Sequence, residues 1–202
     1  MNRSARSESP MSPRRFHFFK VLEGLALALC LTAAPMWRAA AQTASFTPYQ
    51  VKALIIFKFA KYTEWPKETF ASENAPFVLG ILGEDPFGAD IDIIKGKTIK
   101  GRKLEVKHFS SVQEAADCQL LFISRSETDK VPQILKALEN SSVLTIAEAE
   151  GFIEKRGIIN LIAEKKAAGT QTVGFEINQA AAGKANLKFD TQLLQQAKKV
   201  KT

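Results

Sequence analysis

Cysteine and histidine are scarce in this chain of 202 residues: Cys30, Cys118, His17 and His108 are all there are. Beyond residue 41 only Cys118 and His108 remain, so that part cannot form an internal disulfide. A zinc site of His and Cys ligands needs more than these two. A Ser-His-Asp triad would have to use His108, and no nucleophile-elbow motif accompanies it. Gly80, Gly83 and Gly88 do not form G-x-G-x-x-G, and no lysine stands at P-loop spacing. Dense basic stripes with interleaved aromatics are also missing, which removes the usual footprint of nucleic-acid binding. No catalytic residue, metal ligand, disulfide or cofactor-binding residue is assigned from the sequence. The expectation is therefore a binding protein rather than an enzyme.

What is present begins with a leader. Arg3, Arg6, Arg14, Arg15 and Lys20 precede an apolar stretch from Val21 to Ala34, and Ala39-Ala40-Ala41 follows. Charge, apolar core and small residues in that order predict a secretory signal over 1–41, cleaved near Ala41. The apolar run is shorter than the roughly 20 residues that span a bilayer, and Glu23 interrupts it. An uncleaved signal anchor in the inner membrane is the alternative. Arg14-Arg15 fits a twin-arginine motif poorly, and Leu29 is too bulky for lipoprotein cleavage at Cys30. Met11 offers a second start. The leader holds six basic and two acidic residues, so it carries four of the chain's net +7 charges. Residues 42–202 are left at +3, a length suited to one domain.

Along that domain, apolar runs alternate with helical patterns. Thr47, Pro48 and Gln50 predict a capped helix, stapled by Phe46 and Val51, running to Tyr62 and stopped by Pro66. Phe77–Gly83, Leu120–Ile123 and Val143–Ile146 read as buried strands, and Leu104–His108 as a half-buried edge strand. Short helices are expected from Ser111 and from Asp129. Gly157–Ile162 and Thr172–Ile177 form a hairpin about a turn at Lys165 to Gly169. Asn178 caps a brief turn closed by Gly183, and Asp190 caps a last helix whose C-terminal end gathers Lys198, Lys199 and Lys201. Strands separated by helices predict an α/β layered domain, Rossmann-like, with a mostly parallel sheet and an antiparallel C-terminal hairpin.

Binding candidates come from loops and strand ends. Glu64-Trp65-Pro66 lies past the first helix, where an indole is a hot-spot residue or a lid on the core. Asp85, Pro86 and Phe87 follow the first buried strand, at the edge where open α/β sheets take ligands; a small-ligand crevice near Gly83 to Gly88 is one reading. Glu176 and Asn178 straddle Ile177 and share a face. Cys118 reads as a buried, inert thiol.

Tyr49-Gln50-Val51-Lys52-Ala53 continues to Phe57-Lys58-Phe59-Ala60-Lys61-Tyr62-Thr63-Glu64-Trp65-Pro66. Leu79–Gly83, Asp85-Pro86-Phe87, Leu121–Ser124, Val143–Ile146, Gly151-Phe152, Ile158–Asn160, Phe175–Asn178 and Leu193–Ala197 follow in order. This series resembles the YfiR-like periplasmic proteins over essentially the whole mature chain. The resemblance implies a periplasmic regulator that binds the sensor region of an inner-membrane diguanylate cyclase, tuning cyclic di-GMP and biofilm behaviour. It further implies an outer-membrane lipoprotein as a second partner and a homodimer. A sensor kinase is an alternative partner, with the chain as its small-ligand receptor. Family members often carry a cysteine in the first strand that pairs with the counterpart of Cys118. Here Gly80 stands at that place.

Overall fold

The computed structural model describes residues 46–165 and 171–202. The expected leader and the hairpin turn after Lys165 lie outside them.

Helix α1, Pro48–Lys61, starts as its sequence requires. Thr47 Oγ1 accepts from Gln50 N–H, and Gln50 Oε1 accepts from Thr47 N–H, both at 3.1 Å. Two of the backbone donors that every helix start leaves unpaired are thereby satisfied. Phe46 is 58% exposed, so it does not form the expected staple. The helix ends at Lys61, before Pro66, because Thr63 and Glu64 form strand β1 against Lys188–Phe189 (β9).

The main sheet contains β2 (Phe77–Leu82), β3 (Thr98–Ile99), β4 (Arg102–Phe109), β5 (Leu120–Ile123), β6 (Leu144–Ala147), β7 (Ile159–Lys165), β8 (Gln171–Asn178) and β10 (Lys199–Lys201). Their spatial order is β10-β8-β7-β6-β5-β2-β4-β3. The run β4-β2-β5-β6-β7 is parallel throughout. The chain steps from β2 to β4 on one side, then back to β5 on the other, as in doubly wound sheets. The β7–β8 pair is antiparallel, with Asn160 opposite Glu176.

The side-chain period of two splits each buried strand between two cores. Phe77, Leu79, Ile81, Leu120, Phe122, Leu144 and Ile146 face one, beneath α1. Val78, Leu82, Leu121, Ile123 and Ala147 face the other, with Cys118 and Phe152. Helix α2 (Val131–Ala137) covers this second face. Helices α3 (Gln179–Lys184) and α4 (Thr191–Gln196) join the first. Gly80 is needed by close approach: a β-carbon there would lie 2.6 Å from Phe109 Cε2 and 3.0 Å from Leu121 Cδ1.

Local expectations fail where a neighbouring element supplies the backbone's partners. Residues 111–117 form turns rather than a helix. Asp129 caps nothing; a 3-10 stretch, Arg125–Lys130, leads straight into α2. Gly183 lies inside α3, and Asn186, at φ 57°, takes the left-handed position after it. Lys199 and Lys201 are not at a helix end but on β10, parallel to β8. Lys198 and Lys199 pair there with Glu164 and Glu154.

Candidate binding cleft at the strand ends

In a parallel sheet, residues just past the strands' carboxyl ends converge on a common edge. Arg125 follows β5 by two residues, and Glu148 is the first residue after β6. The Glu148 side chain is 6% exposed. Its Oε1 lies 2.7 Å from Lys52 Nζ, and its Oε2 lies 3.3 Å from Arg125 Nη2. The Lys52 approach is a close charge contact without hydrogen-bond alignment. Lys52 projects from α1, is itself 12% exposed, and holds its ammonium 4.0 Å from the centre of the Tyr49 ring. Burying a lone charge costs several kcal/mol, so Lys52 and Glu148 each make the other tolerable. Arg125 differs: 74% of its side chain reaches solvent.

One strand further on, Asn160 ties the loop after β6 to the hairpin. Its Oδ1 accepts from Ala149 N–H at 3.1 Å, and its Nδ2 donates to Glu176 Oε2 at 3.2 Å. Glu150 and Glu154 complete the polar lining of a cleft of about 600 Å³. At its rim Lys199 donates to Glu154 at 2.6 Å. That bond holds the Glu154 carboxyl below its usual range and raises the Lys199 ammonium above its own. Two cations, four carboxylates and one amide thus line the cleft among the described residues. Such a set recognises by ion pairs and directed hydrogen bonds.

The residues singled out from sequence fall at three places. Glu176 lines the cleft. Its neighbour Asn178 is 3% exposed, caps α3 by accepting from Ala181 N–H, and donates to Ile153 O. Asp85 accepts from Phe87 N–H and lies 2.9 Å from His108 Nε2. Pro86 is half-buried, and Phe87 is core, packed edge-on against Tyr49 and Phe122. The crevice near Gly83 to Gly88 is closed at its Gly83 end, whereas a β-carbon on Gly88 would meet no neighbour within 4 Å. Glu84 N–H donates to Ser126 Oγ, and a β-carbon on Gly83 would collide with that same oxygen. Glu64 and Trp65 line a smaller hollow of about 230 Å³ with Phe70, Lys100 and Arg102. The indole is half-buried against Phe77 and donates to Gln119 O at 3.2 Å, while Pro66 precedes a 3-10 turn. Gln119 stands at the amino end of β5, so Trp65 lies at the opposite edge of the sheet from the cleft. Cys118 is buried beside the Gly80 backbone, and burial pushes its thiol up to about 12.

Lys52, Arg125, Glu148 and Asn160 were missed by sequence reasoning. Arg125 and Glu148 had a signal, since each lies within two residues of the end of an apolar strand. Lys52 had a weaker one, as a charge on a helix that is otherwise apolar around most of its girth.

Among the described residues no helix is long and apolar enough to cross a membrane. Fold and cleft together define an α/β domain of doubly wound character with a polar cleft at the strand ends. The chain belongs to the YfiR/HmsC-like family, whose model matches residues 49–198. That is a regulatory rather than catalytic family, of periplasmic proteins acting in diguanylate cyclase signalling. No curated protein matches the chain. Two solved structures are similar at low identity, the first of them in fold. A conserved domain protein from Vibrio cholerae is 12% identical, with a TM-score of 0.53 over 77% of this chain and 60% of that one. An ABC domain in complex with L-Trp from Streptococcus pneumonia is 14% identical, with a TM-score of 0.48 over 76% and 60%. The chain thus spans about three-fifths of the length of either protein.

Proposed function

We propose that the chain, exported by a cleaved leader, binds the periplasmic sensor region of an inner-membrane diguanylate cyclase and restrains it. The observation that carries this reading is the Lys52–Glu148–Arg125 constellation in a member of this family. A buried ion pair positions an exposed guanidinium beside Glu150, Glu154 and Glu176. Exposed arginine anchored by a buried partner is well suited to protein recognition, because its planar fork is held before the partner arrives. Capture of the chain by an outer-membrane lipoprotein, and pairing of two copies, belong to the same proposal.

The test is deletion of the gene followed by complementation. Deletion should raise cyclic di-GMP, the wild-type chain should restore it, and Arg125→Glu with Glu176→Lys should not, although the variant protein folds. An unchanged level on deletion would sink the cyclase reading. Crosslinking in membranes would then name the partner directly.

The volume of the cleft favours one second reading, a small-ligand receptor that reports to a membrane sensor such as a histidine kinase. Polar metabolites would then raise the melting temperature of the isolated protein, because a ligand bound only by the folded state stabilises it.

A further inference from the structure

A second cavity, of about 360 Å³, opens where α2, the start of β6 and α3 meet. It shares no lining residue with the cleft. Val143 and Ile158 precede β6 and β7, so it lies at the amino-terminal edge of the sheet, opposite the cleft. Its floor is apolar, built from Leu138, Val143, Ile158 and Ala185. Leu138 and Val143 belong to one core and Ile158 and Ala185 to the other. The cavity is therefore a gap where the two cores meet around the end of the sheet.

Its rim is charged with one dominant sign. Lys136, Lys155, Arg156 and Lys184 line it, against Glu139 alone among the acidic residues described. Arg156 Nη1 lies 3.6 Å from Glu139 Oε1, with both side chains more than half exposed. A pair that open to water is worth little, and it balances one cation of four.

The backbone of Arg156 adds an independent observation. Its φ is 77°, in the left-handed region that residues with a β-carbon avoid. The preceding turn closes with Gly157 N–H donating to Phe152 O at 2.9 Å, the bond that ends a helix in a Schellman motif. Glycine is the usual residue at the left-handed position of that motif. An arginine held there keeps a guanidinium at the cavity mouth at a cost in backbone strain, which is the kind of outlier that points to function.

We propose that this cavity binds a small amphiphilic anion, its apolar body on the Leu138–Ile158 floor and its acid group between Arg156 and the rim lysines. The volume falls within the range of small-molecule pockets, roughly 300–1,000 Å³. An apolar floor selects against sugars and free phosphate, and the rim selects against cations.

The test compares decanoate, decanol and decylammonium, each below its micelle concentration, by thermal unfolding and calorimetry on the purified protein. Decanoate should raise the melting temperature and bind at one site. Decanol should bind more weakly, and decylammonium should give no shift. Arg156→Gly should raise the melting temperature of the unliganded protein, since glycine relieves the left-handed strain, while weakening decanoate at least tenfold. Ala181→Trp, which fills the mouth from α3, should abolish binding. Three results would each overturn the proposal: no shift with decanoate, equal shifts with decanoate and decylammonium, or decanoate affinity unchanged in Arg156→Gly. If Ala181→Trp does not fold, the arginine variant decides alone.

Discussion

Lys52, in the second turn of the first helix, and Glu148, the first residue past the fourth parallel strand of the chain, meet at 2.7 Å with both side chains largely shut away from water. The pair joins the helical layer to the carboxyl-end edge of the sheet. Removing Glu148 strands a buried ammonium, and removing Lys52 leaves the buried carboxylate to Arg125 alone.

Glu148→Ala should therefore destabilise the protein by about 3–5 kcal/mol, the usual cost of leaving a buried ion unpaired. Lys52→Met with Glu148→Leu should recover most of that loss, because two apolar groups leave no charge to desolvate. Urea unfolding of the two singles and the double measures the coupling. Additive losses would show that the two charges do not depend on each other.

The thiol of Cys118 should be inert in the folded protein. Burial pushes it up to about 12 from an ordinary value of 9.0, and the nucleophile is the thiolate. Iodoacetamide at pH 8 should label it only after denaturation. The neutral thiol is favoured in the folded state. Its contribution to stability is therefore complete below pH 9 and is lost as pH rises toward 12. Rapid labelling of the native protein would contradict this.

Gly80→Ala should cost about 1–3 kcal/mol by overpacking, since the added methyl group meets Phe109 and Leu121. Phe109→Leu in the same chain should return part of the loss, and a thermal melt of the two variants decides. The position that resembles a family cysteine site is filled here by a neighbour's ring.

Gln119→Leu should lose roughly 1–3 kcal/mol, the cost of leaving a buried donor without a partner. Its Oε1 accepts from Val78 N–H at 2.8 Å, and its Nε2 donates to Thr69 O and Asp117 O. Hydrogen exchange at Val78 should rise in the variant, which separates this cause from lost packing.

How far the sequence could be read depended on where each residue finds its partners. The capping box at Thr47 and Gln50 is satisfied within one helical turn, so its residues reveal it. The buried strands are legible because a β-strand shut in on both faces must be apolar throughout, as Phe77–Leu82 is. Tyr62 to Pro66 misled because the chain leaves the helix for β9, more than a hundred residues away. The C-terminal lysines misled for the same reason: β8, not a helix end, supplies their setting. The cleft was half legible. Glu176 sits on a recognisable strand, whereas Lys52, Arg125 and Glu148 lie far apart in sequence and are joined only by strand order. Asn178 and Phe87 carry polar or strand-end signals, yet the fold spends them on capping α3 and filling the core.

The two outermost strands of the main sheet are its shortest, two residues in β3 and three in β10, and β10 alternates Lys199, Val200 and Lys201. A sheet recruits a foreign strand through a long, flat, uncharged border. This one ends on either side in a stub, which pairs only Arg102 and Lys103 of β4 and Glu176 to Asn178 of β8. Beyond its stub β4 carries Glu105, Lys107 and His108, and the stub on β8 carries ammonium groups that would repel another basic segment. Chains concentrated together should therefore stay apart along their sheet borders. Removing residues 199–201 would uncover β8 at Glu176 to Asn178, which β10 now pairs, and lengthen the border open to strand addition.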